Sequence, residues 1–307
     1  MKVIITGGAG FIGSHIAEYW GGLGAEVKII DSLRTGFAKN LQNLNVEFFQ
    51  ESITDLKKLE NIFEGTDYIF NLAALVSVPE SILKPRECID INVNGLINLL
   101  ELAKKFGIKK LVHSSSAAIY GDDPEQPKRI SHKPSPKTPY GITKLDGEYY
   151  CQMYSEQFDV PAVSLRYFNV FGPRQNPQSQ YAAAIPIFIS RALKSQDIII
   201  YGKGDQTRDF IFVKDVVHAN VLAAQSQIKN GVFNVATENT ISIIDTAELI
   251  INLTGSKSKI VFENERPGDI KHSSADISET KSALNFNPNF SFEQGLKETI
   301  NYFRKNL

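Results

Sequence analysis

A short apolar run at residues 2–6 passes directly into Gly7-Gly8-Ala9-Gly10-Phe11-Ile12-Gly13. From there apolar residues recur with helical spacing over 11–23. A Gly-x-x-Gly-x-x-Gly turn between a strand and a helix leaves few architectures open. The glycines permit a tight turn, close approach of the backbone to a pyrophosphate, and close packing of helix on strand. The helix N-terminus adds N–H groups and a partial positive charge that suit phosphate. Such a turn opens the first βα unit of a doubly wound sheet and predicts a bound dinucleotide.

The rest of the first half fits that frame. Strand-like runs at 27–30, 46–49, 68–71, 111–114 and 162–166 alternate with helical stretches at 56–63, 89–106 and 143–158. Short continuous apolar strands separated by amphipathic helices predict a parallel sheet covered on both faces, with right-handed crossovers. From Gly172 the pattern changes: Pro173, Pro177 and Pro186 interrupt it. Short runs at 198–201, 210–213 and 232–235 and helices at 243–253 and 292–304 follow. The expected fold is α/β, a Rossmann-like doubly wound parallel sheet with a smaller mixed α/β C-terminal substrate lobe. Residues 1–171, with a segment returning near 207–237, are expected to bind the dinucleotide, and 172–307 the substrate.

Composition narrows the function by exclusion. Lys plus Arg (33) nearly balances Asp plus Glu (34), so no global field points to nucleic acid or an anionic membrane. Cys88 and Cys151 are too few for a disulfide framework, and the five histidines lack zinc-type spacing, so no metal is expected. Neither a signal-like leader nor a membrane-length apolar run is visible, which makes the cytoplasm the expected location.

The chemistry rests on four positions. Asp31 ends the second strand-like run, where a carboxylate accepts from adenosine ribose hydroxyls and repels a 2′-phosphate; this favours NAD over NADP, although Arg34 is close enough in sequence to pair with such a phosphate. Tyr140 and Lys144 stand at i and i+4 on one helix face. A nearby ammonium is expected to lower the phenol's pKa, preparing it to take a proton while hydride leaves the same carbon. Ser114-Ser115-Ser116 ends a strand at the carboxyl edge of the sheet, and Ser116 is placed to hydrogen-bond the reacting oxygen.

Taken together, TGGAGFIGSH (6–15), LAA (72–74), NVNG (92–95), SSSAAIYG (114–121), YGITK (140–144), RYFNVFGPR (166–174), TRDFIFVKD (207–215) and RPGD (266–269) resemble the extended short-chain dehydrogenase/reductase superfamily. The resemblance is to its nucleotide-sugar 4-epimerases and runs in order across nearly the whole chain. It implies that Gly7, Gly10, Phe11, Ile12, Gly13, Asp31, Ser32, Ile53, Leu72, Ala73, Asn92, Ser114, Tyr140, Lys144 and Tyr167 line the NAD site. It makes Ser116, Tyr140 and Lys144 the catalytic residues. It further implies that Asn169, Tyr201, Arg208, Arg266 and Asp269 hold the nucleotide diphosphate, with the arginines on phosphate oxygens. One departure is Ser52, where relatives carry an Asp against adenine.

The resemblance also bears on the reaction. Dehydratase relatives carry an Asp-Glu pair after the strand hydroxyl, and decarboxylating relatives carry a Glu there. Ala117 and Ala118 supply no acid or base, which argues for epimerisation. Relatives restricted to glucose and galactose place a Tyr where Ser273 stands, and N-acetyl-preferring ones place a Ser at Ser77. The expected activity is therefore 4-epimerisation of UDP-N-acetylglucosamine and UDP-N-acetylgalactosamine, with activity on UDP-glucose and UDP-galactose as well. The alternatives are a UDP-glucose 4-epimerase proper or another NAD(P)-dependent sugar-nucleotide dehydrogenase or reductase. The helices at 92–106 and 143–158 resemble the pair that forms a homodimer interface in the family.

Overall fold

Seven strands form one parallel sheet: β1 (Lys2–Thr6), β2 (Glu26–Ile30), β3 (Glu47–Phe49), β4 (Tyr68–Asn71), β5 (Lys110–Ser116), β6 (Ala162–Tyr167) and β7 (Asn230–Val235). Their spatial order is β7-β6-β5-β4-β1-β2-β3. The order reverses between β1 and β4, and ligands of open α/β sheets sit at such a switch point, outside the carboxyl ends of the strands. The computed structural model describes residues 1–177, 183–265 and 270–306.

Side-chain alternation explains why both faces are covered. Val3 and Ile5 of β1, Phe70 of β4 and Val112 of β5 enter one core with Ile16 and Trp20 of helix α1 (Phe11–Gly22). Ile4, Ile69 and Leu111, each one residue out of phase, enter a second core with Leu96, Leu99 and Leu100 of helix α2 (Gly95–Phe106). Helix α3 (Pro139–Phe158) joins that second core through Cys151 and Tyr154. A period of two thus feeds two helical layers from one sheet.

A third core lies outside the sheet. Phe171, Phe188, Phe210, Phe212, Ile250, Leu296 and Phe303 pack together there, with Phe210 and Phe292 stacked at a centroid distance of 5.5 Å. Small strand pairs accompany it, among them Thr207–Arg208 between Ile241–Ser242 and His272–Ser273.

Three elements differ from the sequence expectation. The run at 210–213 is strand only over Ile211–Phe212, and helix α4 (Val213–Gln225) begins at once. Val213, Val216, Val217 and Val221 recur with helical spacing and are buried on one face of it. The stretch at 89–106 is not one helix: Pro85–Ile89 leads into a π-helical turn, Asp90–Asn94, before α2. Helix α3 starts at Pro139 rather than 143, because the Thr138 hydroxyl caps it by accepting from the Gly141 N–H at 3.3 Å and Pro139 suits the first helical position. Among the described residues, no helix is long and apolar enough to cross a membrane.

Candidate active site

The glycine turn is built without room for side chains. Gly7 has φ +68°, and a Cβ there would lie 2.7 Å from the Ala73 nitrogen and the Leu72 carbonyl carbon. A Cβ on Gly13 would lie 2.4 Å from the Gly7 oxygen, so the first turn of α1 rests directly on the loop. Gly10, the N-cap of α1, supplies no side-chain cap, and the first turn carries no acidic residue. The helix start therefore keeps backbone donors for an anionic group, with Phe11 and Ile12 in its first turn. These features fit the pyrophosphate of a dinucleotide.

Asp31 follows β2 and is buried. Its carboxylate accepts from the Ala9 N–H at 3.0 Å and the Leu33 N–H at 2.8 Å. Burial raises its pKa, and those two N–H groups oppose the rise. Asp31 thus locks the glycine turn to the following loop, and Ser32 is exposed beside it. Arg34 is engaged by Glu80 at 2.8 Å and Glu87 at 2.9 Å. Two carboxylates around that guanidinium oppose its pairing with a 2′-phosphate.

Tyr140, Lys144 and Ser116 converge at the carboxyl end of β5. The Lys144 ammonium donates to the Ser114 carbonyl at 2.6 Å and lies 5.9 Å from the centre of the Tyr140 ring. Ser116 neighbours the Tyr140 phenol closely enough to oppose the rise in its pKa, and its Oγ accepts from the Ala118 N–H at 3.1 Å. The expected effect of Lys144 on Tyr140 is not what the protein alone produces. Burial dominates and raises the phenol pKa, with Ser116 opposing, while burial brings Lys144 down from 10.5 to about 8. At 5.9 Å and donating to a carbonyl, the ammonium is too weakly coupled to the phenol to outweigh desolvation.

Several residues expected along the cofactor are held internally. The Ile53 side chain lies in the second core, where a Cβ on Gly95 would meet it at 2.5 Å, and its carbonyl accepts from Asn98 at 2.9 Å. The Asn92 amide accepts from the Leu75 N–H at 2.7 Å and donates to Thr143 at 2.9 Å. The Tyr167 phenol is buried and donates to Asn220 at 3.0 Å. Ser52 is occupied by Thr54, hydroxyl to hydroxyl, at 2.8 Å.

On the substrate side, Asn169 follows β6 with φ +29°, and its amide donates to the Asp209 carbonyl at 2.9 Å and the Ser273 hydroxyl at 3.2 Å. Ser273 pairs in strand register with Arg208. The structure therefore brings Asn169, Arg208 and Ser273 together. Tyr201 ends the strand Ile198–Tyr201, and its carbonyl accepts from Gln206. Ser77 caps the helix Val78–Leu83 by accepting from the Glu80 N–H. Arg266 and Asp269 lie outside the described residues.

Sequence patterns do not reach a buried polar chain behind the site. Ser115 donates to Glu148 at 2.5 Å, and Glu148 is held by two nitrogens of Arg166 at 2.8 and 2.7 Å. Arg166 continues to the Tyr120 hydroxyl at 2.8 Å, which donates to Asn234 at 2.7 Å. Glu148 stands one turn beyond Lys144 on α3, and that spacing is the one signal that could draw attention to it.

The family model described as "NAD dependent epimerase/dehydratase family" matches residues 3–236. A putative UDP-glucose 4-epimerase of Methanocaldococcus jannaschii is 36% identical over 306 residues, covering 99% of each chain. The structure of a UDP-N-acetylglucosamine 4-epimerase from Methanobrevibacter ruminantium, in complex with UDP-N-acetylmuramic acid, superposes with TM-score 0.96 at 42% identity, over 100% of this chain and 99% of that one. A Thermus thermophilus UDP-glucose 4-epimerase in complex with NAD superposes with TM-score 0.91 at 34% identity, over 100% of both. With the uncapped glycine turn, Asp31 and the Ser116–Tyr140–Lys144 group in place, the chain belongs to the NAD dependent epimerase/dehydratase family, among the extended short-chain dehydrogenases of nucleotide sugars, and its cofactor is NAD.

Proposed function

We propose that this protein interconverts the C4 epimers of UDP-hexoses, principally UDP-N-acetylglucosamine and UDP-N-acetylgalactosamine, with UDP-glucose and UDP-galactose as further substrates. The observation that carries the reaction class is the short turn Ala117–Tyr120 directly after Ser116, in which Ala117, packed on the first core, and Ala118 carry no ionisable group. A proton can be passed at C4, and no acid or base stands at those two positions for elimination or further chemistry.

In this reading Tyr140, as phenolate, takes the proton of the sugar 4-hydroxyl while Ser116 hydrogen-bonds the same oxygen. NAD held by the Gly7–Gly13 turn would supply hydride-transfer chemistry at C4. Lys144 and the Ser114 carbonyl fix the pair's position, and Tyr140 gives the proton back once the ketone has presented its other face. The lobe built on the third core holds the nucleotide, with Arg208 on the diphosphate and Arg266, Asp269 and Tyr201 completing the site.

Ser273 and Ser77 support the N-acetylated sugar, since a small residue at 273 leaves space for a 2-acetamido group. The likeness to the Methanobrevibacter ruminantium UDP-N-acetylglucosamine 4-epimerase agrees with this reading. A homodimer is part of the proposal. Ile142 and Tyr149, seven residues apart on α3, and Ile89 at the end of the helix Pro85–Ile89 that packs on α3 are large apolar residues exposed on one chain, and a second copy would cover them. The proposed location is the cytoplasm.

Purified enzyme incubated with UDP-N-acetylglucosamine without added cofactor should yield UDP-N-acetylgalactosamine. A kcat/KM much higher for UDP-glucose would make it a UDP-glucose 4-epimerase instead, and no conversion of any UDP-sugar would remove the epimerase reading.

A further inference from the structure

Tyr140 is gripped through its backbone by a buried hydroxyl and amide cluster from the segment that follows β4. As the second residue of α3, Tyr140 has an N–H with no partner inside the helix. Ser81, fully buried on Val78–Leu83, accepts that N–H at 3.2 Å and donates its own proton to the Val78 carbonyl at 2.6 Å. On the other side of the residue, the Thr143 hydroxyl donates to the Tyr140 carbonyl at 2.9 Å. Thr143 in turn accepts from the Asn92 amide at 2.9 Å, and Asn92 holds the Leu75 N–H at 2.7 Å. Asn92 sits in the π-helical turn Asp90–Asn94, an irregularity of a kind that recurs at functional sites. Ser81, Asn92 and Thr143 are all nearly solvent-free, so these bonds do not compete with water.

We propose that Ser81, Thr143 and Asn92 are positioning residues for the reaction: they clamp the Tyr140 backbone to the 75–92 segment and so hold the phenol and the Ser77 loop as one unit. The proposal rests on the reading of Tyr140 as the acid and base. Its physical basis is that the phenol must stay in reach of both the substrate oxygen and Ser116, and its Cα is the pivot of that side chain. The same segment carries Ser77, so the distance between the substrate loop and the phenol is set by hydrogen bonds rather than by a flexible connection.

The test compares Thr143→Val, which keeps shape and removes the hydroxyl, with Thr143→Ser, which keeps the hydroxyl. The readouts are kcat, KM for the UDP-sugar, and NAD released on denaturation. Thr143→Val should lower kcat about 10- to 100-fold with KM and bound NAD unchanged, and Thr143→Ser should restore the parent kcat. Ser81→Ala should lower kcat in the same way and carries the test if Thr143→Val fails to fold. Parent-like kcat in Thr143→Val or Ser81→Ala overturns the clamp. So does a Thr143→Ser variant as impaired as Thr143→Val, or a rise in KM at constant kcat. Tyr140→Phe separates the two readings: turnover surviving that change sinks the role of Tyr140 itself, whereas its loss beside intact clamp variants sinks only the clamp.

Discussion

The Asn169 amide donates to the Ser273 hydroxyl across 3.2 Å, joining the end of β6 to the His272–Ser273 strand where the substrate sugar is proposed to lie. A tyrosine at 273 gives up that hydroxyl contact, and its ring would fill the space assigned to a 2-acetamido group. Ser273→Tyr should therefore lower kcat/KM for UDP-N-acetylglucosamine about 100-fold while changing UDP-glucose little, the scale expected when a pocket rejects a group by size. Parallel assays on the two sugars check this, and an equal loss on both would argue against a size filter at 273.

The closeness of Ser116 to Tyr140 predicts an ordered pair of losses. Tyr140→Phe removes the proposed proton-transfer group and should cost about 10²–10⁴-fold in kcat. Ser116→Ala should cost less in kcat, since Tyr140 remains, and it also removes the acceptor of the Ala118 N–H. Bound NAD should be retained in both. Quantifying cofactor after denaturation separates a chemical defect from an empty site.

How far the site can be read from the sequence follows from how local each feature is. The glycine turn, Asp31 and the Tyr140–Lys144 spacing are legible because each depends on a few adjacent residues and one element boundary. The Lys144–Tyr140 electrostatics are not, because the i, i+4 spacing says nothing of the Ser114 carbonyl that takes the ammonium or of burial around the phenol. The start of helix α4 escapes a local reading, since the apolar run at 210–213 does not show that strand gives way to helix at Val213. The Ser81–Tyr140, Asn92–Thr143 and Glu148–Arg166 bonds join separate elements, so a spacing rule can at most point to Glu148 beside Lys144 and not to its partner. Glu148 and Arg166, only 4% and 5% exposed, form a buried ion pair. Such a pair is costly to break from one side.

That asymmetry gives a stability prediction. Glu148→Leu alone leaves the Arg166 guanidinium buried with the Tyr120 hydroxyl and should destabilise by about 3–5 kcal/mol. Arg166→Met made together with it should recover much of the loss, because two apolar side chains then replace two charges. Denaturant unfolding of the single and double variants measures both values, and a double variant no better than the single would show that the polar chain to Tyr120 and Asn234 matters more than the charges.

The cofactor turn gives a steric prediction. In Gly13→Ala the new Cβ would lie 2.4 Å from the Gly7 oxygen, backbone that cannot move without spoiling the pyrophosphate cradle. The variant should purify without NAD and regain little activity when NAD is added. Substitution at Gly22, where a Cβ meets nothing within 4 Å, is the control that should keep its cofactor.

Lys144 should trade stability for catalysis. Its pKa falls from 10.5 to about 8 on folding, chiefly through burial, so the folded chain binds that proton less well than the unfolded chain does. The sign follows: above pH 10.5 the group costs nothing, the cost grows as pH falls toward about 8, and below that it is constant. The full penalty is on the order of 3 kcal/mol at neutral pH, before the bond to the Ser114 carbonyl is counted. Lys144→Met should therefore raise the Tm of NAD-free protein at pH 7, lose that advantage as the pH approaches 10.5, and be severely impaired in turnover at every pH. Thermal melts across that range, paired with epimerase assays, check both halves. A Lys144→Met variant less stable than the parent at pH 7 would mean that the Ser114 bond and packing outweigh the burial of the charge.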